Sequence, residues 1–145
     1  MGRAHGAGLI VTGWFRYAYI GSLVLFLAGL VFQVYLVGQS LFVDARDWHT
    51  HVEWGWMVAH GLPLLILISA ALSRLDRRRW LVLAGFLVAV GIQPFLPQLR
   101  DTNPSLAALH PINAVLLVGL TLWLLQDAWH LVRVQAPSAP SAPPS

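Results

Sequence analysis

Residues 17–40 read YAYIGSLVLFLAGLVFQVYLVGQS, a run without a single charged side chain. A helix needs about 20 consecutive apolar residues to cross a bilayer, so this run is long enough for one span. Three further stretches, 52–73, 80–98 and 106–130, repeat the pattern, the third being short and closed by Pro94 and Pro97. The expected fold is all-α, a four-helix transmembrane bundle. Residues 1–16 form a short lead, 17–130 the membrane domain and 131–145 a tail. The tail ends in APSAPSAPPS, whose proline and serine content suits an extended, solvated segment. Composition agrees, because only 10% of residues are charged where a soluble domain averages about 25%.

All nine basic residues are arginine. With four spans, Arg3, Arg16, Arg74, Arg77, Arg78, Arg79 and Arg133 share one side, and Arg46 and Arg100 lie on the other. The positive-inside rule then puts both termini and the 74–79 loop in the cytoplasm of a bacterial inner (plasma) membrane. Basicity that follows the membrane boundary argues for the lipid bilayer as partner and against nucleic acid. Trp14, Trp80 and Trp129 fall at the inner boundary, and Trp48, Trp54 and Trp56 at the outer one, forming an aromatic belt at each interface. The chain has no cysteine, which excludes disulfides, iron–sulfur clusters, thiolate zinc sites and covalent haem attachment.

Polar side chains inside spans are costly and mark function. Gln33, His51, His60, Gln93, His110 and Asn113 all map to the outer half of the bundle, which points to one polar pocket there. His110 precedes Pro111, which cannot donate a hydrogen bond to Ala107 and so disturbs the early turn of the fourth span. Asn113 follows three residues later on the same face. His51 has Gly55 four residues on, leaving room for a helix or a flat ring. His60 lies about 13 Å deeper than His51 and on nearly the opposite face. It shares its face with Glu53 and Trp56 and is expected to turn toward the bundle, where Gln33 or Gln93 would hydrogen-bond it. Either glutamine could also orient a ligating histidine through its second nitrogen. In an extended chain His49, His51 and Glu53 point one way, a weak copper or zinc pattern.

The order Gln33…Gly38, Trp48-x-x-His51-x-x-x-Gly55, an arginine-bearing turn, Gln93 and then Leu109-His110-Pro111-Ile112-Asn113-Ala114 resembles an uncharacterised family of small four-helix bacterial membrane proteins, a domain of unknown function. The resemblance covers most of residues 17–126, and the His-Pro-x-Asn-Ala segment is its most specific part. The layout is also similar to the four-helix haem modules of cytochrome b561-type proteins and haem A synthase, where histidines of even-numbered helices bind haem near one membrane face. This chain lacks paired histidines on all the expected helices, so the comparison implies one haem rather than two.

The expected function is therefore electron transfer through one haem b near the outer face, with His110 as one axial ligand and His51 or His60 as the other. The alternatives are a cofactor-free accessory subunit of a respiratory or photosynthetic complex, and a metal-binding membrane protein using His49, His51 and Glu53. Other membrane subunits of an electron-transfer complex are the expected protein partners. A stand-alone enzyme fits less well, because no nucleophile–base constellation stands out.

Overall fold

The computed structural model describes residues 2–133, with side chains from Gly13 onward. Its helices are α1 (Gly2–Phe42), α2 (Trp48–Leu72), α3 (Arg77–Ile92), the single-turn α4 (Pro104–Ala107) and α5 (Leu109–Arg133). Short 3₁₀ turns cover Ala45–Asp47 and Leu96–Leu99, and there is no strand among the described residues. Helices suit such a chain because lipid offers the backbone no hydrogen-bond partner, so each N–H and C=O must be satisfied within its own segment.

Local chemistry sets the helix ends. The Asp44 carboxylate accepts the Arg46 N–H and starts a 3₁₀ turn that runs straight into α2. The second span thus begins at Trp48 and not at residue 52. The third starts at Arg77, capped by Asp76 accepting the Arg79 N–H at 3.0 Å, and stops at Ile92 rather than 98. That N–H holds the Asp76 carboxyl below the ordinary carboxylate range. Just past its end, Pro94 and Pro97 lack the N–H groups that would continue the helix. Asn103 caps α4 by accepting the Leu106 N–H at 3.2 Å. The expected fourth span is then interrupted at Ala108, where Pro111 cannot bond back to Ala107. The expected lead is helical from Gly2. Of the expected tail, residues 131–133 complete α5 and 134–145 lie outside the described residues.

Three segments, Gly13–Phe42, Ala45–Leu72 and Pro104–Arg133, are long and apolar enough to cross a membrane. The 16 residues of α3 make a shorter leg. At 1.5 Å per residue α3 reaches about 24 Å, against a hydrocarbon core of about 30 Å. It nevertheless runs between the two ends of α5. Arg79 meets Asp127 at one end, and Gln93 meets His110 at the other.

The chain forms an up-and-down bundle in which α1 packs broadly on α2 and α5, and α3 on α5 and more narrowly on α2. Buried residues recur every three or four positions: Tyr19, Leu23, Phe26 and Leu30 on α1; Ile66 and Ala70 on α2; Leu83, Phe86 and Val90 on α3; Leu117, Leu124 and Ala128 on α5. Across one diagonal the rings of Phe26 and Phe86 meet edge to face at 5.1 Å. The outward faces of the long helices are apolar and exposed, with Val34, Leu64 and Val115 among the residues that lipid would cover. Gly29 lets α1 and α2 close up, since a Cβ there would stand 3.1 Å from the Val58 side chain.

Candidate functional site

The other diagonal, between α2 and α5, is closed at the end away from the arginine loop by two histidines. His51 lies in the first turn of α2 and His110 in the first turn of α5, so the early start of α2 brings them level. Their ring centres are 6.5 Å apart and their planes cross at 80°. Both rings are half-buried.

Each ring is held by the main chain of a glutamine, Gln33 on α1 and Gln93 at the C-terminal cap of α3. His51 Nδ1 lies 3.3 Å from the carbonyl oxygen of Gln33, and His110 Nδ1 lies 3.0 Å from that of Gln93. A carbonyl oxygen only accepts, so Nδ1 carries the proton in both rings. In a neutral ring Nε2 is then a bare lone pair, and neither Nε2 has a hydrogen-bond partner among the described residues. Two such lone pairs cannot bond to each other. They suit an electron-pair acceptor, such as a metal, or a donor such as a hydroxyl.

The surroundings of His110 form a closed network. Gln93 Nε2 donates to the His110 carbonyl at 3.1 Å, and Asn113 Nδ2 donates to Gln93 Oε1 at 2.6 Å and to the Ala89 carbonyl at 2.9 Å. Gln93 and Asn113 thus orient the histidine and join α3 to α5. On the His51 side the Gln33 amide lies against Gly55, and its Oε1 is buried without a hydrogen-bond partner. A Cβ on Gly55 would come within 2.6 Å of Gln33 Nε2, the far end of a flexible side chain. Gly55→Ala is therefore expected to push the amide aside at a cost of about 1 kcal/mol or less. Thermal unfolding in detergent checks this, and a loss above about 3 kcal/mol would mean that the Gln33 amide is rigidly held.

His60 does not join the pair. It is exposed on the outside of α2, donates from Nδ1 to the Trp56 carbonyl of its own helix at 2.8 Å, and stacks on Trp56 at 5.1 Å. The expectation that it turns toward the bundle is corrected, since its helical phase carries it away once His51 points inward. The extended pattern of His49, His51 and Glu53 is corrected as well. The segment is helical, which sends His51 to another face and leaves His49 and Glu53 as an exposed pair at 3.5 Å. Among the described residues no three His, Cys, Asp or Glu side chains gather to hold a metal ion.

Sequence reasoning missed a second polar layer toward the arginine-loop end. Ser22 and Ser69 hydroxyls meet across α1 and α2 at 3.2 Å, and the Thr121 hydroxyl donates to the Leu117 carbonyl. Arg79 Nε donates to Asp127 at 2.6 Å, and the same guanidinium also binds Asp76. Asp127 is thus an interhelical partner and not a simple interface residue. The available cue was opposite charge at one level on consecutive spans.

Residues 33–99 match a family of unknown function, DUF6220. The matched stretch, less than half of the chain, contains Gln33, His51, Gly55 and Gln93 and stops short of His110 and Asn113. No curated protein and no solved structure matches the chain.

Proposed function

We propose that the protein is a small integral membrane electron carrier that holds one haem b between His51 and His110. The observation that carries this reading is the shared tautomer: both histidines spend Nδ1–H on a backbone carbonyl and keep Nε2 free. That is the arrangement a ligating histidine adopts, because the second hydrogen bond fixes the ring and raises its basicity.

Distance and ligand count support the same group. With metal–nitrogen bonds of about 2 Å, imidazoles on opposite sides of one metal have ring centres roughly 6 Å apart. The observed separation is 6.5 Å. Among the described residues no third metal-ligating side chain joins the two histidines, so a metal held here would bring its other ligands with it, as a metallated macrocycle does. A bis-histidine haem supplies reversible one-electron transfer. His51 and His110 would hold it, and Gln33, Gln93 and Asn113 would position them. The positive-inside rule places this end of the bundle on the outer side of a bacterial inner membrane, with the Arg74–Arg79 loop in the cytoplasm.

A second reading, an accessory subunit of a larger electron-transfer complex, is favoured by His60. It stands at the midpoint of α2, on an outward face that lipid covers poorly. The two readings are compatible.

The test is a reduced-minus-oxidised visible spectrum of the detergent-purified protein, expressed with ample haem. Sharp α and Soret bands are expected. A flat spectrum would overturn the haem reading and leave the accessory subunit in front.

A further inference from the structure

We infer that the two histidines are unequal ligands: His110 is the fixed one, and His51 is displaceable by a small external ligand entering on the α1–α2 side. This rests on the haem reading above.

The molecule contains the same unit twice. A glutamine carbonyl on one long helix or at its C-terminal cap holds the Nδ1–H of a histidine in the first turn of the next long helix, as Gln33 with His51 and as Gln93 with His110. The two copies differ in what locks them. At His110 the ring bond is 3.0 Å, the Gln93 amide returns a bond to the His110 carbonyl, and Asn113 ties down that amide. The ring itself makes one of these bonds, and the other two brace the Gln93–His110 backbone that carries its acceptor. At His51 the ring bond is 3.3 Å and stands alone. Gly55, a residue without a side chain, follows there on the same helical face, and the Gln33 Oε1 has no hydrogen-bond partner among the described residues. The other neighbour of His51 is Trp48, tilted against it at 5.0 Å and itself half exposed.

Displacement breaks one ring hydrogen bond on either side, the longer one at His51 and the shorter, better braced one at His110. His51 would release the group with its Nε2 lone pair intact, so the exchange would need neither oxidant nor reductant, and His110 would keep holding the group.

Carbon monoxide added to the reduced, haem-loaded protein is the first probe. A shifted Soret band is expected in the wild type. His51→Ala is expected to keep its haem and bind carbon monoxide, and His110→Ala to lose its haem. Asn113→Leu should weaken haem binding roughly tenfold or more. Loss of haem in His51→Ala as complete as in His110→Ala would overturn the inference. Nitrogen-15 NMR of histidine side chains in haem-free protein supplies a readout independent of the cofactor. One fixed Nδ1–H tautomer at His110 and an averaging ring at His51 support the inequality, and two equally fixed rings overturn it. A protein that never takes up haem but shows unequal rings would sink the haem reading alone.

Discussion

On the haem reading, replacing His110 with alanine is expected to remove essentially all haem absorbance from the purified protein, and His60→Ala to leave the spectrum in place. The contrast follows from geometry. His110 combines a free Nε2, a ring fixed through Nδ1, and a position 6.5 Å from the ring of His51. His60 also spends its Nδ1 on a carbonyl, but that carbonyl belongs to its own helix and the ring lies outside the bundle. Deleting a ligand forfeits the metal–nitrogen bond, whereas loss of an orienting neighbour typically costs only 10–100-fold in metal affinity. The measurement is the ratio of Soret to 280 nm absorbance after equal expression, with helix content checked by circular dichroism. An unchanged ratio in His110→Ala, or its collapse in His60→Ala, would falsify the assignment of ligands.

Asp127→Ala is expected to be the most destabilising change at the opposite end. The Asp127 carboxylate takes two hydrogen bonds from Arg79, at 2.6 and 3.1 Å, in a setting about three-quarters buried on both sides. A surface ion pair contributes up to about 1 kcal/mol, and breaking a fully buried one costs about 3–5 kcal/mol. This pair lies between those limits, and Asp76 keeps part of the Arg79 charge satisfied. A loss of about 1–3 kcal/mol is the expected outcome. The effect should concentrate on α3, the shortest leg, which polar contacts tie to α5 only near its two ends. A double-mutant cycle with Arg79→Ala, read by unfolding in mixed micelles, isolates the pair. Strict additivity would show that the two side chains do not support each other.

Much of the architecture was legible in one dimension. Uninterrupted apolar runs, arginine placement and tryptophan belts gave the helices and their approximate ends. A long apolar segment has few options in lipid, where only internal backbone hydrogen bonding is available. Pro111 as a break in the last span was readable from its missing N–H alone. The ends of α2 and α3 were less accessible. They depend on whether Asp44 and Asp76 start helical turns, a matter of a few hydrogen bonds.

The sequence by itself determined that the chain is helical, that most of it is apolar enough for a membrane, and that histidines, glutamines and an asparagine collect toward one end. Hydropathy cannot distinguish an apolar face turned to lipid from one turned to another helix, so it could not say which histidine looks inward. That choice depends on helical phase and on which helices lie diagonally. Only the tertiary structure set His51 level with His110, sent His60 outward, joined Arg79 to Asp127, and buried the Gln33 Oε1 without a hydrogen-bond partner among the described residues. Each outcome depends on distances between residues far apart in sequence, and those distances arise only when four helices pack.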